Sequence, residues 1–145
     1  MMIELWEKHT ILAEQSFKNK DFWRTILHYQ QAFAISEELT KRNEASLVDQ
    51  VTITVISCHN LAQFWRSQND NNFELKYLEI AAEKILTLVP QCPKNDCESF
   101  VSNLGCCKSA LLEFMKRHPN PEIAKHIQHI DTTVQCELIA SFKLQ

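Results

Sequence analysis

Phe17-Lys18-Asn19-Lys20-Asp21-Phe22, followed by Tyr29-Gln30-Gln31-Ala32-Phe33, is the stretch whose reading decides the fold. Asn19 to Asp21 form a polar break between two segments whose apolar residues recur at helical spacing. Ile3, Trp6, Ile11, Leu12 and Phe17 precede the break, and Phe22, Ile26, Tyr29, Phe33 and Leu39 follow it. So short a break lays the second helix back along the first. The pattern returns as Trp65-Arg66-Ser67-Gln68-Asn69-Asp70, then Leu78-Glu79-Ile80-Ala81-Ala82. In each copy a small residue follows leucine in the first helix (Leu12-Ala13, Leu61-Ala62), which lets the two helices approach closely. A later alanine, Ala32 or Ala81, receives the next pair.

Outward from this unit, breaks at Lys41-Arg42-Asn43-Glu44, Ser67 to Asn72, Pro90 to Asp96 and His118 to Pro121 divide the chain into six helical segments. The third segment carries Val48, Val51, Val55, Leu61, Phe64 and Trp65. Its β-branched run from Val51 to Ile56 suits a strand by propensity, but a lone strand has no partner, so it too reads as helix. Phe73, Tyr77, Ile80, Ala81, Ile85 and Leu88 mark the fourth segment, and Phe100, Leu104, Leu111, Leu112 and Met115 the fifth. The sixth carries Ile123, Ile127, Ile130, Val134, Leu138 and Ile139. Asp70, Asp96 and Asn120 are suited to N-cap positions, the last with Pro121 in the first turn. The expectation is an all-α single domain over residues 1–145, built of three antiparallel hairpins at about 2–40, 44–89 and 96–142.

Composition agrees. Average usage would give this 145-residue chain about ten glycines, and it has one, Gly105. A dinucleotide fingerprint or a P-loop needs at least two, so both are excluded. The net charge of −3, without a basic stripe, argues against a nucleic-acid partner. The region from Leu47 to Arg66 is too polar to span a membrane, holding Asp49, Gln50, Ser57, His59, Asn60 and Gln63. Met-Met-Ile-Glu-Leu-Trp-Glu-Lys lacks a basic and then apolar leader, which implies the cytoplasm and reduced thiols. The six cysteines then read mostly as small buried hydrophobes.

The paired helices resemble the tetratricopeptide repeat. Its leucine–glycine pair corresponds to Leu12-Ala13, Leu61-Ala62 and Leu104-Gly105, and its turn to Lys20-Asp21-Phe22 and Asn69-Asp70. Its late bulky residue and alanine correspond to Tyr29 with Ala32 and Leu78 with Ala81. The repeat period is 34 residues, whereas Leu12 to Leu61 is 49 residues and Leu61 to Leu104 is 43, so the surplus must lengthen helices or loops. Trp6 to Thr10, Ser57 to Ala62 and Leu88 to Pro93 are also similar to a small tetratricopeptide-like family of marine gamma-proteobacteria, which brings no activity with it. The resemblance implies a right-handed stack, and places Gly105 at a tight helix contact where leucine would be severely destabilising.

It also implies a function: the inner face of the first helices takes a protein or peptide segment. By position that groove is lined by Glu7, Thr10, Glu14, Phe17 and Lys18, then His59, Asn60, Gln63 and Arg66, then Ser102, Asn103, Cys106 and Ser109. Phe17, His59, Asn60, Gln63 and Arg66 are the binding candidates. Only Asn60 matches the family's carboxylate-clamp residues, and Glu14 carries the wrong charge for one. The bland alternative is a solvated face.

Other classes have thinner support. A homo-oligomer, such as a homodimer, would bury an uncapped repeat end, and the sixth segment is as apolar as the others. A thiol- or metal-responsive protein would use Cys92 and Cys97 across the proline turn. Zinc shared among Cys92, Cys97, Cys106 and Cys107 fails on geometry, because residues nine apart on a helix are roughly 13 Å apart. Cys106 and Cys107 also point about 100° apart. His126 and His129 share a helix face but lack a third ligand at helical spacing. Cys58-His59 diverges as a nucleophile pair. Trp6, Trp23 and Trp65 read as core or packing residues. No catalytic arrangement, cofactor motif or metal set emerges, so a non-enzymatic role is expected.

Overall fold

A computed structural model describes residues 2–88 and 97–134 of the chain, and among them every regular element is helical. The order is α1 (Met2–Lys18), α2 (Phe22–Arg42), α3 (Leu47–Ser67), α4 (Asn71–Leu88), α5 (Cys97–Arg117) and α6 (Pro121–Val134). Each helix packs on the next, α3 also touches α5, and α4 touches α6. Residues 51–56 lie inside α3. The surplus over a 34-residue repeat goes into helix length, since α2 and α3 each run to 21 residues.

A chain with one glycine must turn by other means. Lys20, Asn43 and Asn69 take the left-handed conformation with φ of 59°, 53° and 59°. Each closes its helix with a paired bond set: Lys20 N–H to Phe17 C=O with Asp21 N–H to Ser16 C=O, and likewise Asn43 with Glu44 and Asn69 with Asp70. The following helices are capped at once. Asp21 accepts from Arg24 N–H at 3.2 Å, Ser46 from Asp49 N–H at 3.1 Å, Asp70 from Phe73 N–H at 3.0 Å and Asn120 from Glu122 N–H at 2.9 Å. Asp96 lies outside the described residues.

The main core joins α3 to α6: Val51, Val55, Cys58 and Leu61 meet Leu78, Ala81 and Ile85, then Phe100, Leu104 and Leu111, then Ile123 and Ile130. A smaller cluster of Trp6, Ala32, Leu39 and Ile53 holds the first two helices to α3. There the Trp6 indole donates to Ser57 Oγ at 2.7 Å, and Gln30 donates to the Tyr77 hydroxyl at 2.8 Å.

Several sequence expectations change. Ile11 is 52% exposed, because the buried stripe of α1 is Trp6, Thr10 and Ala13. Trp23 is 86% exposed and belongs to no core. Gly105 is exposed, and a Cβ added there meets nothing within 4 Å. Ala13 and Ala62 are buried as expected, but the corresponding small buried residue of α5 is Cys107. Leu104 and Cys107, three apart, face the core as Thr10 and Ala13 do, while Gly105 is turned about 100° from Leu104 toward solvent. In α6, Ile123, Ile127 and Ile130 are buried, while Lys125, Gln128, His129 and Thr132 are exposed. Leu138 and Ile139 lie outside the described residues.

Candidate functional site

The five binding candidates fall in two depressions on either side of α3. Phe17, Asn60 and Gln63 join Tyr29 and Phe64 around a recess of about 110 Å³ between α1 and α3. His59, Gln63 and Arg66 join Ala62, Glu74, Leu78, Ala110, Glu113 and Arg117 around a cleft of about 250 Å³ between α3 and α5, floored by α4. Gln63, exposed on α3, borders both.

The first recess is aromatic. Phe17 packs on Phe22 at 5.8 Å and on Phe64 at 6.4 Å between ring centroids. Burial, and after it the Glu14 carboxylate, pushes the Tyr29 phenol above its ordinary value. Thr10, expected in the groove, is buried and donates to the Trp6 carbonyl at 2.9 Å. Asn103 is tied down likewise, donating to the Ser99 carbonyl at 2.9 Å.

The second cleft is ionic. Arg117, near the end of α5, donates to both oxygens of Glu74 at 3.1 and 2.6 Å. Glu74 is 3% exposed, and only a paired carboxylate tolerates such burial. The pair leaves the Arg117 Nε–H buried without an acceptor, and His59 Nε2 is buried without a hydrogen-bond partner. Burial holds the His59 imidazole below its ordinary range, which keeps it neutral at pH 7. Arg66 and Glu113, both exposed, also line the cleft. The cleft therefore offers an exposed cation and an exposed carboxylate, a buried ion pair and a neutral imidazole, a set suited to holding polar groups of a ligand.

The Glu74–Arg117 pair has no sequence signature, because its members are 43 residues apart. The only hint is that Glu74 sits three and four residues before Tyr77 and Leu78, placing a carboxylate on the apolar stripe of α4.

The other candidates resolve differently. Burial pushes the thiols of Cys58 and Cys107 up to about 12, leaving them inert, while Cys106 is exposed. Cys106 and Cys107 diverge as the helix dictates. Cys92 and the side chain of Cys97 lie outside the described residues. His126 contacts Glu79 at 3.0 Å and Glu83 at 3.7 Å, and with His129 it borders a third depression. No group of three metal-ligating side chains occurs among the described residues. No described helix is long and apolar enough to cross a membrane.

Comparison with known proteins places the chain among proteins without an assigned role. A model of the DUF2753 family, a protein family of unknown function, matches residues 4–145. An uncharacterised protein of Vibrio parahaemolyticus serotype O3:K6 is 54% identical over 143 residues, 99% of each chain. No solved structure matches.

Proposed function

We propose that this chain, which belongs to the DUF2753 family of proteins of unknown function, is a non-catalytic protein-binding module. Its six helices would form three hairpins stacked as a right-handed, tetratricopeptide-like array in the cytoplasm. An extended segment or helix would lie across the first helix of each hairpin. The observation that carries this reading is the continuity of the two depressions through Gln63, with an aromatic recess on one side and an ionic cleft on the other. A peptide could seat an apolar side chain against Phe17 and Phe64 and polar groups near Arg66, His59 and Asn60. Interfaces draw most of their energy from such anchors, with polar groups setting register.

The test is quantitative affinity capture from cells that naturally make the protein, with Arg66→Glu plus Asn60→Ala as the comparison. Both side chains lie outside the buried core, so the fold should be retained. Loss of specific partners from the variant supports the module. Recovery of every specific partner by a folded variant contradicts it.

A second reading, a homodimer, has its own support in exposed Leu5, Ile11 and Leu27 on α1 and α2. It would use this end of the molecule rather than α6. Light scattering of wild type and Leu27→Glu separates the two readings, since only a dimer would dissociate.

A further inference from the structure

A wide apolar hollow adjoins the aromatic recess and shares Phe64 with it. Phe22, Trp23 and Ile26 of α2, Phe64, Trp65 and Gln68 at the end of α3, and the turn residues Lys20 and Asp21 border an open hollow of about 470 Å³. That is the size range of sites that take small ligands or anchoring side chains. On the α3 side its aromatic wall is built of rings packed on one another. Phe64 packs edge-on to Trp65 at 5.1 Å, and Trp65 stacks on Phe73 at 4.8 Å. The Trp65 indole N–H is buried without an acceptor. Trp23 stands at the edge with 86% of its surface exposed, a costly placement for the largest apolar side chain.

The charges around this hollow choose the occupant. Asp21 and Asp70 are both engaged as N-caps, and Asp21 also pairs with Arg24 at 3.4 Å. Lys20 lines the hollow and takes part in no ion pair among the described residues. Lys76 lies 5.5 Å from the centroid of Phe73, beyond the Trp65 wall, and it too has no carboxylate partner there. With Asp21 offset by Arg24, Lys20 and Lys76 outweigh the one remaining carboxylate, Asp70, so the surroundings of the hollow are net cationic on a chain whose net charge is −3. A second copy docked about a two-fold axis would bring Lys20 toward Lys20, which disfavours self-association here.

We infer that this hollow is a second docking site, adjoining the groove at Phe64, for an acidic protein segment that inserts large apolar side chains between Trp23 and Trp65 and sets flanking carboxylates near Lys20 and Lys76.

The probe is a fluorescein-labelled peptide, Glu-Asp-Leu-Glu-Glu-Phe-Leu-Asp-Glu, titrated with the intact protein at about 50 mM salt and followed by fluorescence anisotropy. Saturable binding is expected, weakened at least tenfold when the peptide's acidic residues are replaced by lysine. Trp23→Ala should weaken it at least tenfold and Lys20→Glu about fivefold, with circular dichroism unchanged because both side chains are exposed. Asn60→Ala, which leaves the charge unaltered, should leave it unchanged, so this binding is read separately from partner capture in the groove. Absence of saturable binding, equal binding of the acidic and lysine peptides, or full affinity in Trp23→Ala overturns the inference. So does sedimentation showing a wild-type dimer that Trp23→Ala converts to monomer, which would give the hollow to a second copy.

Discussion

Replacing Arg117 by methionine should unfold the protein more readily than any exposed substitution, because it strands a buried carboxylate. Glu74 is 3% exposed and receives two guanidinium N–H groups, at 3.1 and 2.6 Å. Removing one partner of a buried pair costs about 3–5 kcal/mol. The Arg117 side chain is 29% exposed, so water screens part of the interaction and about 2–3 kcal/mol is the better figure. Methionine keeps most of the aliphatic volume beside Phe114, over which the guanidinium now lies at 5.5 Å. For a chain of this size the loss corresponds to a Tm drop of roughly 6–10 °C. Urea unfolding followed by circular dichroism reads it directly. The double variant Glu74→Leu with Arg117→Met should recover to within about 1 kcal/mol of wild type, since an apolar pair of similar volume replaces the ions. If Arg117→Met alone stays within about 0.5 kcal/mol of wild type, the pair does not fasten α4 to α5 and the reasoning fails.

Three further outcomes are expected. Gly105→Ala should stabilise by about 0.5–1 kcal/mol, as an exposed mid-helix glycine allows, and Gly105→Leu should be tolerated; a large loss of Tm in either would restore the close contact the sequence suggested. Stability should fall as pH drops from 7.5 to 5.5, because the unfolded chain takes up protons near 6.5 while burial keeps His59, and His9 beside His28 and Lys8, from doing so until lower pH. His59→Gln should flatten that fall, and an unaltered pH profile of urea midpoints would contradict it. Among the described thiols, a maleimide at pH 8 should modify Cys106 in the native state and Cys58 and Cys107 only after unfolding, checked by peptide mass mapping.

The helices were legible because their signals are local. Asn19 to Asp21 and Ser67 to Asn72 break the periodicity where the chain turns, and Asp70 and Asn120 cap the helices that follow. Even the β-branched run in α3 yielded to the argument that it lacked a partner strand. What failed was the choice of face. Apolar type alone put Ile11 and Trp23 inside, whereas the inward stripes use Thr10, Ala13, Thr25 and Ala32. Small and hydroxyl side chains allow α1 and α2 to approach, and Thr10 and Thr25 satisfy their hydroxyls on carbonyls four residues back. Gly105 was misplaced for the same reason: a leucine–small pair marks a close contact only where the helix is covered on both sides. Central α3 is covered in that way and buries both Leu61 and Ala62. At the groove, sequence position brought Phe17, Asn60 and Gln63 together and His59, Gln63 and Arg66 together. It could not see Glu74 and Arg117, which meet only through tertiary packing.

The central claim is that a partner segment spans both depressions across α3. It is tested most directly by the side-chain amide NMR signals of Asn60 and Gln63 during titration with a captured partner's binding segment. The account predicts that both amide pairs shift together and saturate in step with binding, because Gln63 borders the two depressions and Asn60 lines the first. Saturable binding that leaves both pairs in place, while signals elsewhere on the molecule move, would contradict it.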